Sequence, residues 1–182
     1  MKSLLPAIGI VEATEPATYL ITPFQDAAQA YSRFLDQARA RLRIMIYGFT
    51  LAWVADLLVT KKRAGVDVKL ILDHSQAVGH CEAPVLQRLV AGGFVDGVDF
   101  LIGTSPDHHA INHLKATWID EAYVWHGSWN YSLSANQQLN SIEIIASPEL
   151  ARTFDRVFTW SWDWVKTHEA GYQTLSGPGP GQ

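Results

Sequence analysis

His113-Leu114-Lys115-Ala116-Thr117-Trp118-Ile119-Asp120, then Tyr123-Val124-Trp125, then Gly127-Ser128-Trp129-Asn130, is the stretch on which the reading of this 182-residue chain turns. His113 to Ile119 reads as a strand and Tyr123 to Trp125 as a second, joined by a tight turn at Asp120-Glu121. On a strand, residues two apart point to the same side. His113 and Lys115 therefore share one face, while Leu114, Ala116 and Trp118 share the other. If the chain stays extended at Gly127, Ser128 and Asn130 also share a side. An imidazole, an ammonium, a hydroxyl and an amide then converge, which is a set of groups suited to holding a phosphate.

Outward from this stretch, strand and helix signals alternate, which predicts an α/β fold. Thr22-Pro23-Phe24-Gln25 looks like a helix start with a hydroxyl cap, proline at the first position and Gln25 reaching back. Ala27, Tyr31, Phe34, Leu35 and Ala38 follow at helical spacing. Leu42 to Tyr47 is a short apolar run. A helix through Leu51, Val54, Ala55, Leu58 and Val59 ends at Lys61-Lys62-Arg63 and Gly65, the basic triplet complementing the helix dipole. Val66 to Leu72 predicts a strand buried on both faces, and Pro84 to Val90 a helix closed by Gly92-Gly93. Val98 to Ile102 and Ile142 to Ala146 supply further strands, and a long helix follows Ser147-Pro148. Trp160, Trp162 and Trp164 cannot all face one way on that helix, so some belong to a surface or an interface.

Composition bounds the rest. With 48% hydrophobic and 18% charged residues, the chain suits one compact domain, and its net charge of −4 excludes a globally basic nucleic-acid binder. Residues 1–18 read as an N-terminal arm, 19–168 as the domain, and the glycine- and proline-rich 169–182 as a disordered tail. No stretch reaches the roughly 20 apolar residues of a membrane helix. The single Cys81 cannot form an internal disulfide, which fits a cytoplasmic protein, with secretion or a periplasmic location as the minor alternative. His80-Cys81-Glu82 read as loop residues near the site entrance.

His-x-Lys, four residues, Asp, six residues, Gly-Ser-x-Asn is also the signature of the phospholipase D superfamily, and the chain resembles it at every position: His113, Lys115, Asp120, Gly127, Ser128 and Asn130. Ala64 to Gln76 is similar to the helix-to-strand step of the small single-motif members, so the resemblance spans Tyr19 to Lys166. It implies an α-β-α sandwich with a mixed central sheet. It also implies a metal-independent phosphodiesterase in which His113 attacks phosphorus to give a phosphohistidine. Lys115 and Asn130 would hold the phosphoryl oxygens, Ser128 would support them, and no cofactor is needed. A carboxylate after the Gly-Ser-x-Asn segment, here Glu143, would orient the His113 ring. Asp120 belongs to the motif but lies a strand's length from His113, so a structural role at the turn is expected. With one motif per chain, the resemblance implies a homodimer whose active site at the two-fold interface takes its second histidine from the other copy.

Single-motif relatives include non-specific endonucleases and cardiolipin hydrolases. A nuclease acting on DNA or RNA is the leading expectation and a phospholipid hydrolase or transphosphatidylase the second. Phe94, Phe100 and Trp129 are candidates to stack on bases or receive acyl chains. Lys61, Lys62, Arg63, Lys69, Arg88 and Arg152 are candidates to line a groove. The rival chemistry is zinc binding by His108, His109 and His113 with Asp107, which needs His113 on a helix.

Overall fold

The structure, a computed structural model, describes residues 16–105 and 110–168. Seven strands form one mixed sheet: β1 (Ala17–Thr22), β2 (Arg41–Ile46), β3 (Asp67–Asp73), β4 (Phe100–Gly103), β5 (Lys115–Ile119), β6 (Tyr123–Gly127) and β7 (Asn140–Ala146). Their order is β1-β7-β6-β5-β2-β3-β4. The β2–β3 and β3–β4 pairs are parallel and the other four antiparallel. Between them run α1 (Ala27–Asp36), α2 (Ala52–Arg63), the short α3 (His74–Ala77), α4 (Ala83–Ala91) and the long α5 (Pro148–His168).

Strand alternation divides the apolar side chains between two cores. Leu42, Ile44 and Ile46 of β2, with Val68, Leu70 and Leu72 of β3, meet α1, α2 and α4 on one face. Met45, Ile71, Ala116, Trp118 and Val124 meet Phe158, Trp162 and Val165 of α5 on the other. The α/β expectation and the α-β-α sandwich with a mixed sheet are thus both realised. Trp162 is buried there, while Trp160 and Trp164 stack on each other at 5.8 Å, half-buried. In the first core the Thr117 hydroxyl joins the phenols of Tyr31 and Tyr131 at 2.6 and 2.5 Å, so three buried hydroxyls satisfy one another.

The predicted helix start at Thr22 is corrected. Thr22 closes β1, the Thr22–Pro23 peptide is cis, and Asp26 is the true cap, accepting from Gln29 N at 3.0 Å. Gln25 does reach back, but to the Ile21 amide, so the motif ends a strand instead of opening a helix. β1 lies at the sheet edge, and its Ala17 and Thr18 already pair with β7. Residues 1–15 of the expected arm and the tail from 169 lie outside the described residues.

Register fixes where the site sits. Lys115 at the start of β5 pairs with Ile46 at the end of β2, and Ile46 pairs with Leu72 near the end of β3. The end of β6 and the start of β7 meet the end of β1 at that same end of the strands. Asp120, Glu121 and the start of β2 lie at the opposite end of the strands.

Candidate active site

The histidine expected on β5 lies just before it. β5 begins at Lys115, and His113 is exposed on an irregular segment that leads into the strand. Two neighbours set its position. Asn112 donates its amide to Asp73 Oδ2 at 2.7 Å, and Tyr47 N donates to Leu114 O at 2.9 Å. His113 thus rides between two residues pinned to the ends of β3 and β2. Its ring meets that of Tyr47 edge-on at 4.7 Å.

Lys115 is buried, only 6% exposed. Its Nζ donates to His113 O at 2.7 Å and lies 4.8 Å from the centroid of the Tyr47 ring. Burial brings the ammonium down to about 8, against the Asp73 carboxylate that favours the charge. A cation so weakly hydrated has donors free for an anion.

Asn130 reaches the same place from β6. Gly48 follows Tyr47, and its carbonyl accepts Tyr131 N at 2.9 Å. A β-carbon at Gly48 would stand 3.3 Å from Asn130 Cγ and Oδ1, so glycine allows the amide to lie against the backbone. Asn130 Oδ1 is buried without a partner. Tyr47-Gly48 is therefore the element around which His113, Lys115 and Asn130 gather. Tyr47 and its hydrogen bond from Gln76 Nε2, 2.9 Å, were missed by the sequence reading, because an aromatic at a strand end carries no chemical signature.

Ser128 is placed one step behind. Its hydroxyl donates to Asn140 Oδ1 and accepts from Ser141 N, both at 3.1 Å, fastening the end of β6 to the start of β7. Gly127 makes that junction possible: its φ is +151, and a β-carbon there would lie 2.1 Å from Ser141 O.

The remaining expected residues stand elsewhere. Glu143 pairs with His126, 3.3 Å between Nε2 and Oε2, and makes no hydrogen bond to His113. His126 and Glu143 are cross-strand partners whose parity puts them on the α5 face, where His126 meets Phe154 at 6.1 Å. Burial brings His126 below its ordinary value, and Glu143 partly offsets this. Asp120 lies about 17 Å from Lys115 along β5 at roughly 3.3 Å per residue. Its carboxylate accepts the amides of Arg39, Ala40 and Arg41, each at 2.8 Å, a scaffold role.

Trp129 is corrected from substrate contact to core. It is 1% exposed, its indole donates to Asn136 Oδ1 at 2.9 Å, and Tyr31, Trp125 and Tyr131 pack around it. Phe94 and Phe100 are likewise buried. For zinc, His113 is not helical, His108, His109 and Asp107 lie outside the described residues, and among the described residues no group of three metal ligands occurs.

Residues 31–162 match the family described as "Cardiolipin synthase, PLD-like domain". A mitochondrial cardiolipin hydrolase of Chlamydomonas reinhardtii is 27% identical over 140 residues, covering 74% of this chain and 58% of that protein. The chain thus spans less than two thirds of that relative's length. Among solved structures, Nuc of Salmonella typhimurium, a phospholipase D family member, superposes with a TM-score of 0.70 at 23% identity, over 82% of this chain and 96% of that one. NucT of Helicobacter pylori gives 0.69 at 17% identity, over 79% and 93%. With its unbroken motif, its sandwich and a family match over residues 31–162, the chain belongs to the phospholipase D superfamily.

Proposed function

We propose that the protein is a metal-independent phosphodiesterase in which His113 is the nucleophile. The observation that carries this reading is the gathering of His113, Lys115 and Asn130 around Tyr47-Gly48. A neutral imidazole nitrogen attacks phosphorus, the N–P bond forms, and the bond to the leaving oxygen breaks. That oxygen takes a proton from a second imidazole, for which the one motif of this chain offers the His113 ring of a second copy. Water then gives its proton back to that ring as it attacks phosphorus and releases the N–P bond. Lys115 and Asn130 stabilise the charge that builds on the phosphoryl oxygens.

A nucleic acid is the first substrate reading. A specific observation favours the second, a phospholipid. Ile111 and Leu114 on either side of His113, and Phe24, Leu133 and Leu139 at the same end of the strands, are exposed apolar side chains. Four of the six candidate cations are engaged, Lys61 with Asp36 O, Lys62 with Asp99, Arg88 with Asp56 and Lys69 over Trp162, and the exposed Arg63 and Arg152 stand at the end of α2 and the start of α5. A polyanion needs several free cations along its path.

Purified protein with excess EDTA is assayed on bis(p-nitrophenyl) phosphate, duplex and single-stranded DNA, RNA, and cardiolipin vesicles. Hydrolysis that survives the chelator and disappears in His113→Ala is the expected result. Activity retained in His113→Ala, or loss with EDTA, would falsify the mechanism. Mixing His113→Ala with wild-type subunits should lower the rate per wild-type chain, and an active monomer overturns the shared site.

A further inference from the structure

We infer that Glu82 is a positioning residue for the phosphate site, acting through the Phe49 amide to hold Gly48 against Asn130. The inference rests on the phosphodiesterase reading above. Glu82 directly precedes α4, yet it is 3% exposed, and its Oε1 accepts the Phe49 N–H. A carboxylate is withdrawn from water only where it has a partner, and that partner here is the backbone between β2 and α2.

The same backbone reaches Asn130 directly. Phe49 bridges Tyr131, Gly48 O accepts Tyr131 N, and Thr50 N and Leu51 N both donate to Tyr131 O at 2.8 and 3.0 Å. Residues 48–51 and 130–131 are thereby zipped together. Asn130 Oδ1 has no hydrogen-bond partner, so contact with Gly48 sets where its amide points. Whatever fixes Gly48 fixes the amide, and Glu82 secures the zipper from its outer side. It does not touch the phosphate.

The electrostatics agree with this geometry. Burial raises the Glu82 carboxyl to about 7; the Phe49 amide lowers it and the Asp73 carboxylate on β3 raises it. Asp73 in turn acts on Lys115 of β5, residues 48–51 carry no charge, and Arg88 of α4 is engaged with Asp56. Near neutral pH the acceptor facing Phe49 therefore passes between a neutral and a charged state.

The test is a double-mutant cycle in the whole 182-residue chain, reading the Kd for sulfate by titration calorimetry at pH 8, where this probe's charge is constant. Binding is read without turnover, so failure of the mechanism and failure of this inference are distinguishable. Glu82→Leu and Asn130→Ala should each weaken sulfate binding about tenfold, and the double variant no further. Should Glu82→Leu not fold, Glu82→Gln serves, with about a threefold loss that vanishes in the Asn130→Ala background. Multiplying losses, or a Kd unchanged in the Glu82 variants, would overturn the assignment.

Discussion

Replacing Asp120 with alanine should unfold the protein more easily while leaving the chemistry intact in the molecules that stay folded. The carboxylate accepts three amides at 2.8 Å from Arg39, Ala40 and Arg41, where the chain enters β2. Hydrogen bonds to a charged group contribute about 1.5–3 kcal/mol each when shielded. The Arg39 and Ala40 amides are exposed and re-solvate when the carboxylate goes, so about 1 kcal/mol per bond is the appropriate figure. Asp120 and Glu121 also have φ of 51 and 52, the mark of a type I′ turn. Alanine tolerates that region less well than aspartate does. The three bonds together come to about 3 kcal/mol, to which the turn adds, for a fall of at least roughly 6–12 °C in Tm for a domain of this size. Asp120→Asn keeps an acceptor and the turn preference and should lose about 1 kcal/mol.

The pH dependence supplies a second reading of the same residue. Burial alone would raise the Asp120 carboxyl, but the three amides and the Arg39 charge hold it below its ordinary value. A depressed folded-state pKa contributes stability that is present above the unfolded value of about 3.9 and lost as pH falls through the folded one. The gap between wild type and Asp120→Asn in urea denaturation should therefore narrow below about pH 4. A loss under about 1 kcal/mol in Asp120→Ala, or a rate per folded molecule down more than tenfold, would refute the scaffold role.

Further expectations concern the site itself. With the Lys115 ammonium brought down to about 8, hydrolysis of bis(p-nitrophenyl) phosphate should decline as pH rises past that value, and Lys115→Arg should extend activity to higher pH. Tyr47→Phe keeps the ring under Lys115 and against His113 and should stay within about threefold of wild-type kcat/KM, whereas Tyr47→Leu should lose about tenfold. Gly127→Ala brings a methyl within 2.1 Å of Ser141 O and should cost at least about 2 kcal/mol in chemical denaturation.

The alternation of strand and helix was readable because the apolar runs at Leu42, Val66 and Ile142 and the helical spacing from Ala27 to Ala38 each obey one period. Thr22-Pro23 was misread because hydroxyl-proline pairs open helices and close strands alike. Only the pairing of Thr22 with Asn140 decides which. In the site, the spacing of His113, Lys115 and Asn130 was visible, but what they gather around was not. Tyr47, Gly48 and Glu82 reach them through contacts more than 30 positions away in sequence. Glu143 shows the limit of a spacing argument, since a shift of one position on a strand exchanges faces, and here the residue meets His126. Trp129 similarly has the motif's position but the core's surroundings.

β5 carries the buried Lys115 at one end, leads into the Asp120 anchor at the other, and is buried along all five residues. Its middle residue, Thr117, is wedged between two phenols, so no side chain along the strand can be exchanged without disturbing a helix on one face or the other. Alteration of specificity is thereby channelled away from this strand. New preferences have room to arise only in the segments beyond its Lys115 end, such as Val78 after α3 and Leu133 before the last strand, which stand in solvent with little packed against them.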